Sequence, residues 1–274
     1  MTKPPPRILA VAGSDSSGGA GIQADIKTIT MLGGYAMTAI TAATAQNTTG
    51  VQGVETLATE FVLAQVDSCL GDIGADAIKI GMLGSPAIAA ALAQRLDSFA
   101  GGIVFDPVMV ATSGAVLADE ATIAGFAALM EIATLVTPNL PELAALTDMP
   151  LGDVDEIGAA AHSLAARHDV SVLAKGGHGG SARVTDILVA PGGEAMVFDD
   201  TRLPGGHTHG TGCTLSSAIA TLLSHGQALP HAVRLARQFV RAAIVQAPGF
   251  GRGNGPLGHQ AVRTLSEGGQ PSSS

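Results

Sequence analysis

The sequence predicts an α/β fold with a central, mostly parallel β-sheet and helices on both of its faces. Short apolar runs, most of them rich in β-branched residues, alternate along the chain with longer segments that are compatible with helix. This alternation is typical of parallel sheets, in which a helix connects one strand to the next. A polar cluster also follows each of six apolar runs, and ligands of such folds bind beyond the carboxyl ends of the strands.

The elements follow from these runs in chain order. The apolar runs predict strands at residues 8–12, 39–45, 77–80, 103–105, 135–137 and 170–174. Helix-compatible segments lie between several of these strands, at residues 22–32, 60–70 and 86–96. Two further strand-like runs within residues 182–199 flank Pro191-Gly192-Gly193, which indicates a hairpin. Helices at residues 214–224 and 230–246 complete the predicted fold.

Length and composition favour one domain. The 274 residues, of which 46% are hydrophobic, can bury a large core. We expect a short N-terminal extension at residues 1–7, a single domain at 8–260 and a flexible tail at 261–274, which ends in a run rich in serine and glycine. The net charge of −9 disfavours nucleic acid or an anionic membrane as a partner, and no apolar run is long enough to span a bilayer.

The start of the chain and the cysteines favour a cytoplasmic protein. Residues 1–7 contain three prolines and lack the apolar core of a signal peptide. The two cysteines, Cys69 and Cys213, are therefore expected to be free thiols in a reducing compartment. Cys69 lies in a helical pattern, at a position that we expect to be buried and without chemistry.

A glycine-rich turn before the 214–224 helix predicts an anion site. Thr211 stands between Gly210 and Gly212, Cys213 follows, and an apolar helical pattern begins at once. Such a turn presents unpaired backbone N–H groups and the positive end of a helix dipole, which suit a phosphate. The same field should lower the pKa of the Cys213 thiol, so that it exists partly as thiolate. A base inside a phosphate site suggests phosphoryl transfer, whereas the alternative is a turn that needs glycine for its positive φ.

Two of the polar clusters are suited to a small planar substrate. The loop at residues 13–21 does not match the dinucleotide-binding or the Walker pattern. Its glycines, Gly13 among them, would let the backbone approach a substrate, with Asp25 on the next helix facing the pocket. Gln46 follows the second strand, and its amide can pair with a ring that shows an amine beside a ring nitrogen, as a 4-aminopyrimidine does. A solvated loop glutamine is the alternative.

Three further strand ends carry residues suited to metal and phosphate. Asp106 and Glu142 could hold hydrated Mg²⁺ beside phosphates, although an acidic residue at the start of a helix, as Glu142 is, also interacts well with the helix dipole. Lys175 precedes a Gly-Gly turn, where its charge could span transferring phosphates, unless it is only a solvated strand-end lysine. His207 and His209 with Cys213 lack a fourth ligand at the usual spacing for zinc.

Taken together, these clusters resemble the hydroxymethylpyrimidine/phosphomethylpyrimidine kinases of thiamine biosynthesis, in the ribokinase-like superfamily. The matching motifs span residues 8 to about 256 in order. They are residues 12–25, Ala45-Gln46-Asn47-Thr48, Lys79-Ile80-Gly81-Met82-Leu83, Asp106-Pro107-Val108-Met109, residues 137–142, Lys175-Gly176-Gly177-His178 and residues 208–214. The sugar kinases of the superfamily mostly have aspartate where Cys213 stands, so the cysteine indicates the vitamin-kinase branch.

The resemblance implies ATP and Mg²⁺ as co-reactants and two successive phosphorylations, first of the hydroxymethyl group of an aminopyrimidine and then of its monophosphate. It also implies roles for individual residues of this chain. Gln46, Gly13, Asp25, Met82 and Val108 would contact the pyrimidine; Asp106 and Glu142 would serve the metal; Lys175, Thr211 and Asn139 would serve the nucleotide; and Gly210, Gly212 and Cys213 would form the anion hole, with Cys213 as base.

Two other functions compete with this interpretation. A pyridoxine or pyridoxal kinase shares the scaffold, but a pyridine with a ring hydroxyl lacks the edge that Gln46 would read. A non-catalytic nucleotide- or vitamin-binding regulator should have lost Cys213, Lys175 or the acidic pair, and all of these are present. We expect a homo-oligomer, specifically a homodimer. Residues 249–256 match the family's ending only loosely and have no predicted role.

Overall fold

The computed structural model describes residues 4–111, 114–178 and 181–262, which form one nine-stranded sheet with helices on both faces. All six predicted strand runs form strands, and the predicted hairpin is present as β8 and β9. The exposed edge strand β3 is not among the predicted strands. In chain order the strands are β1 (Arg7–Asp15), β2 (Tyr35–Asn47), β3 (Gly50–Thr56), β4 (Ala77–Ile80), β5 (Gly102–Phe105), β6 (Leu135–Val136), β7 (Ser171–Ala174), β8 (Arg183–Val189) and β9 (Ala195–Thr201).

The strand order places a binding crevice beside β1. The order across the sheet is β3-β2-β1-β4-β5-β6-β7-β8-β9. The strands from β2 to β7 in this order run parallel, whereas β3 and β8 are antiparallel to their neighbours. The chain leaves β1 towards β2 and then returns to the other side of β1 as β4. Ligands of open parallel sheets bind at such a reversal, beyond the carboxyl ends of the strands.

Eight α-helices cover the sheet within the described residues. The bounds of α3 coincide with the prediction, because Ser85 accepts a hydrogen bond from Ile88 N and Pro86 opens the helix. The helices α4 and α6 are not among the predicted ones. In chain order the helices are α1 (Gly21–Met31), α2 (Thr59–Asp72), α3 (Pro86–Leu96), α4 (Glu120–Ile132), α5 (Leu140–Thr147), α6 (Val154–His168), α7 (Thr211–Ser224) and α8 (Leu229–Val245).

Two apolar layers hold the helices against the sheet. Along β1, Leu9 and Val11 point into the layer that contains α2 to α6, and Ile8 and Ala10 point into the layer that contains α1, α7 and α8. Alternate residues of one strand therefore supply both layers, which explains why β1 is an almost unbroken apolar run. The prediction of helices on both faces is confirmed. No helix of the described ranges combines the length and apolar character needed to cross a membrane.

The ends of the fold differ slightly from the expected boundaries. Arg7, the last residue of the predicted extension, already belongs to β1 and pairs with Asp76. At the other end Val262 is buried, so the fold includes the first two residues of the predicted tail. Residues 263–274 lie outside the described ranges, and the flexible tail stays a prediction there. Cys69 lies in α2 as expected, but it is half-buried rather than buried.

Candidate active site

A cleft of about 980 Å³ opens beyond the carboxyl ends of the parallel strands. It brings together loops that are far apart in the sequence, because all six polar clusters follow strands that end at the same edge of the sheet. All but one of the predicted site residues line this cleft. They are Gly13, Gln46, Met82, Asp106, Val108, Asn139, Glu142, Lys175, Gly210, Thr211, Gly212 and Cys213.

The turn before α7 is held close to the loop that follows β1. Gly210 has a φ of +85°, and a Cβ at this position would collide with the carbonyl oxygen of Gly19. Both observations require glycine. The helix begins at Thr211, three residues before the predicted start, with no side chain capping it. The N–H group of Thr211 donates to Thr208 O at 3.3 Å, whereas those of Gly212 and Cys213 have no partner within the helix and can bind an anion in the cleft.

A buried ion pair lies directly beside this turn. Lys175 Nζ donates to Asp106 Oδ1 at 2.7 Å, and Thr137 Oγ1 donates to the same oxygen at 3.1 Å. A Cβ built on Gly212 would lie 3.3 Å from the ammonium nitrogen, so only the glycine leaves this space open. Burial lowers the pKa of Lys175, but Asp106 and Glu142 outweigh this effect and raise the pKa overall. Lys175 therefore stays charged at the edge of the anion site.

Glu142 has two roles in this structure. It forms a capping box with Asn139: Asn139 N donates to Glu142 Oε2 at 2.8 Å, and Glu142 N donates to Asn139 Oδ1 at 2.9 Å. Both residues nevertheless line the cleft. Burial, together with the charge of Asp106, raises the pKa of Glu142 to about 7, although Lys175 lowers it. A cation at this position would favour the ionised carboxylate.

Asp106 and Glu142 suit Mg²⁺ chemically. Mg²⁺ usually keeps several waters and takes one or two carboxylates together with substrate phosphates. The described residues contain no group of three His, Cys, Asp or Glu side chains that could hold a metal ion. Two carboxylates match the number that Mg²⁺ takes from a protein when phosphates and water supply its other ligands.

The prediction that Cys213 exists partly as thiolate is wrong for this structure. Burial raises the pKa of its thiol to about 11. The charge of Lys79 and a backbone hydrogen bond from Gly21 act in the opposite direction, but Asp25 and Asp106 add to the rise. Loss of hydration is thus the largest effect on the pKa of this thiol. At neutral pH the thiol carries its proton.

Asp25 is the predicted site residue that does not line the cleft. Its side chain is fully buried. It accepts hydrogen bonds from Lys79 Nζ at 3.0 Å and from Ser217 Oγ at 2.7 Å. Ser217 lies one turn after Cys213 on α7. The buried pair therefore joins α1, β4 and α7 beneath the site. A lysine within the apolar strand β4 is the sequence signal for this pair, since a buried lysine needs a partner.

The substrate end of the cleft combines backbone and amide groups. A Cβ on Gly13 would lie 2.9 Å from Met82 Sδ, so glycine lets the thioether approach the β1 backbone. The largely buried Met82 is fixed because its carbonyl oxygen accepts a hydrogen bond from Thr41 Oγ1 at 2.6 Å. Gln46 faces the cleft with its amide between Thr44 and His209.

Asp15 and His209 line the cleft as well, although the sequence interpretation assigned no site role to Asp15 and considered His209 only for zinc. Asp15 Oδ2 lies 2.8 Å from His209 Nε2 and accepts the backbone N–H groups of Gly19 and Ala20. Burial raises the pKa of Asp15, but these donors and Ser17 lower it to about 2. An aspartate in a loop of glycine and serine was the available signal, since Asx side chains organise such loops.

The segment at residues 249–256 closes the substrate end. Asn254 lines the cleft, and the backbone N–H of His209 donates to Gly255 O at 3.2 Å. Leu203 and the α8 residues Val240 and Ile244 add apolar surface to the lining, and Arg237 and Arg241 of the same helix add positive charge. The cleft thus combines polar groups at Gln46, the anion site before α7, and a wall of mixed character at α8.

Known proteins are similar in sequence to this chain over most of its length. The phosphomethylpyrimidine kinase family model matches residues 15–258. A hydroxymethylpyrimidine/phosphomethylpyrimidine kinase of Streptomyces coelicolor is 44% identical over 256 residues, which cover 93% of this chain and 94% of that protein. The thiamine biosynthesis bifunctional protein ThiED of Geobacter sulfurreducens is also 44% identical, over 257 residues that cover 92% of this chain. The chain spans about half of that relative, 52% of its length.

Solved structures give the same fold. A crystal structure of an ADP complex of Bacillus subtilis pyridoxal kinase superposes with a TM-score of 0.85 at 33% sequence identity, covering 94% of this chain and 99% of that one. The ribokinase-like fold expected from the motifs is thereby confirmed. Because the phosphomethylpyrimidine kinase family model matches nearly the whole described fold, this chain belongs to that family.

Proposed function

We propose that this protein transfers a phosphoryl group from ATP to 4-amino-5-hydroxymethyl-2-methylpyrimidine, and then a second one to the resulting monophosphate. The observation that carries the proposal is the arrangement of one cleft, in which the amide of Gln46 and the anion site at Gly210–Cys213 lie within reach of one small molecule. The names of relatives at 44% identity support the same substrate.

In this proposal each part of the cleft has one task. Gln46 pairs with the amine and ring nitrogen of the pyrimidine, while Met82 and Val108 contact the ring. The N–H groups at the start of α7 and the Lys175 ammonium stabilise charge on the transferring group. Asp106, Glu142 and Asn139 would hold Mg²⁺ and the phosphates, and the ion would neutralise phosphate charge. Thr211 faces the phosphates, and the apolar side chains of Leu203, Val240 and Ile244 contact the nucleotide base.

Cys213 acts as a base in the first transfer only, and it does so although its thiol is mostly protonated. Since the pKa of its thiol is about 11, only a small fraction is deprotonated at neutral pH. We propose that this fraction takes the proton of the hydroxymethyl group as the new P–O bond forms. The second acceptor is a phosphate oxygen, which is already ionised because its second pKa is about 6. The second transfer therefore needs no base.

A coupled assay of ADP formation tests the function directly. The aminopyrimidine and pyridoxine are offered side by side, because the structural similarity to pyridoxal kinase makes pyridoxine the relevant competitor. We expect the higher kcat/KM for the aminopyrimidine. A higher value for pyridoxine would assign the chain to pyridoxine phosphorylation instead.

Two further parts of the proposal concern the state of the protein. We propose that it works in the cytoplasm as a homodimer. Light scattering coupled to size exclusion measures the mass in solution, and a mass of one chain, 27.2 kDa, would contradict the dimer.

Replacing Gln46 by leucine should reduce the preference for the pyrimidine. The variant keeps the size of the side chain but loses both hydrogen-bonding groups of the amide. We expect a loss of about 1–3 kcal/mol in discrimination between the aminopyrimidine and pyridoxine, by analogy with bidentate base contacts. The measurement is the ratio of the two kcat/KM values in variant and parent. An unchanged ratio would remove Gln46 from the specificity site.

Replacing Glu142 by glutamine separates the metal role from the capping role. Glutamine can still bond the N-cap backbone, and it carries no charge. In the parent the pKa near 7 means that the folded protein binds more protons than the unfolded one between pH 4.5 and 7. This contribution to stability is present at acid pH and is lost as the pH rises through 7. Without Mg²⁺ at pH 8 we therefore expect the variant to melt higher than the parent.

Added MgATP is the second arm of the Glu142 test. If Glu142 serves the metal, MgATP should raise the melting temperature of the parent more than that of the variant. Scanning calorimetry with and without MgATP measures both effects. Equal rises in the two proteins would show that Glu142 acts only as a helix cap.

A further inference from the structure

Gln46 is one link in a continuous chain of polar side chains at the substrate end. His209 Nε2 lies 2.8 Å from Asp15 Oδ2 and 3.4 Å from the amide nitrogen of Gln46. The amide oxygen of Gln46 lies 3.2 Å from Thr44 Oγ1, which is also 3.1 Å from the carbonyl oxygen of Ser14. Asp15, His209 and Thr44 are almost fully buried. Water therefore has little access to these side chains, and their hydrogen bonds are set mainly by one another.

Asp15, at one end of this series of side chains, determines which nitrogen of His209 carries a proton. Donors to Asp15 keep its pKa near 2, so its carboxylate is ionised and can only accept hydrogen bonds. The nitrogen of His209 that faces it must therefore carry a proton. This N–H group cannot also accept a proton from the Gln46 amide, so a carbonyl oxygen at that position is the favourable neighbour.

The other end accommodates the same direction. The Thr44 hydroxyl has a single proton, whereas two oxygens lie within hydrogen-bonding distance of it. If that proton goes to the Ser14 carbonyl oxygen, which can only accept, Thr44 Oγ1 is left to accept. An NH₂ group is then the favourable neighbour on this side. A half-turn of the amide exchanges its oxygen and nitrogen within the same space, and it satisfies both ends at once.

We propose that Asp15, His209 and Thr44 are positioning residues that hold the Gln46 amide in one orientation, with its oxygen towards His209 and its nitrogen towards Thr44, and thereby select a 4-aminopyrimidine over a 4-oxopyrimidine. This inference rests on the proposed function. The Nε2–H group of His209, whose proton is directed at Asp15, is then shared with the Gln46 oxygen, and hydrogen bonds run from the Gln46 nitrogen to Thr44 and from Thr44 to Ser14.

The chemistry of the substrate matches this orientation. In the aminopyrimidine the 4-amino group is the ring neighbour of the hydroxymethyl group, and N3 lies on the far side of the amino group. The inference places the hydroxymethyl group at the Gly210 turn and the amino group towards His209, whose Nε2 lies 3.4 Å from the Gln46 amide. The amine then donates to the amide oxygen, and N3 accepts from the amide nitrogen. A 4-oxo ring with N3–H presents an acceptor beside a donor, which is the reverse order.

The experiment compares 4-amino-5-hydroxymethyl-2-methylpyrimidine with its 4-oxo analogue as substrates. In the parent we expect a preference for the amino compound on the order of 10- to 100-fold in kcat/KM. The variant His209→Gln replaces a fixed donor by an amide that can donate or accept, and Thr44→Val removes the hydroxyl. Each should lower the preference by about tenfold, mainly through a lower KM for the oxo compound. Thr44→Ser keeps the hydroxyl and should keep the parental preference.

The ratio of two substrates on one preparation is insensitive to loss of folded protein, so a purely structural effect of a substitution would leave it unchanged. An unchanged preference in both His209→Gln and Thr44→Val would overturn the inference. A parent that accepts both pyrimidines equally would overturn it as well, while leaving the proposed kinase function intact.

Binding distinguishes the inference from the proposed function. Calorimetric titration of the two pyrimidines without ATP measures the preference in the absence of phosphoryl transfer. Tighter binding of the amino compound that is lost in the variants supports the inference even if turnover is low. If the parent binds neither pyrimidine, the proposed function and the inference both fail.

Discussion

Replacement of Cys213 by alanine is expected to slow phosphorylation of the hydroxymethyl alcohol by about 10²–10⁴-fold, the usual contribution of a general base. The second transfer, to the monophosphate, should be much less affected, because its acceptor oxygen is already ionised. The alanine variant keeps the backbone N–H groups of the anion site and removes only the thiol. Single-turnover rates for both substrates, in variant and parent, measure the difference.

The pH dependence provides the control for this prediction. With a pKa of about 11, the thiolate fraction of Cys213 increases as the pH rises from 7 towards 11. The first transfer should therefore accelerate with pH in the parent and lose this acceleration in the alanine variant, whereas the second transfer should show no such difference. Equal losses on both substrates would mean that Cys213 acts through packing of the anion site, and the base assignment would be dropped.

Replacement of Lys175 by alanine is expected to depress turnover far more than binding of the pyrimidine. The protein carries a net charge of −9, so local groups must hold the polyphosphate. Lys175 is the cation beside the anion site, and it is held there by Asp106 at 2.7 Å. Loss of one preorganised electrostatic partner of the transition state typically costs about 10²–10³-fold in kcat. The variant also leaves Asp106 and Glu142 without their cation, which adds to the loss.

Arg95→Ala, on α3, is a control with the same change in net charge, at an exposed ion pair with Asp67 and outside the set of residues that line the cleft. It should leave kcat close to the parental value. Calorimetry of pyrimidine binding and steady-state kinetics are measured on both variants. If pyrimidine affinity collapses in Lys175→Ala while kcat survives, Lys175 belongs to the substrate pocket and not to the phosphate site.

The sequence predicted the parallel part of the sheet well, because strands buried on both faces appear as continuous apolar runs. The run at 77–80 coincides with β4, and the cluster after each run lies at the same edge of the sheet. Two of the missed elements have weak apolar signals. The edge strand β3 is largely exposed, and α6, which begins after the cap residue Asp153, buries mostly alanine side chains.

Individual residues of the site could be predicted wherever a strand end placed them in the cleft. Two errors have a common cause, since burial cannot be read from a single residue type. Asp25 is packed against Lys79 beneath the cleft, and burial raises the pKa of the Cys213 thiol. The pairing of Asp15 with His209 spans almost 200 positions of the chain, a separation of 194, so only the folded structure reveals it.

The central claim is that one cleft performs two successive phosphoryl transfers to the same pyrimidine. The most direct measurement is a time course by ³¹P NMR of the protein with ATP, Mg²⁺ and 4-amino-5-hydroxymethyl-2-methylpyrimidine. The account predicts a pyrimidine monophosphate that appears first and is then converted to the diphosphate, with two ADP formed for each pyrimidine consumed. A reaction that stops at the monophosphate, or one that forms ADP without any phosphorylated pyrimidine, would contradict it.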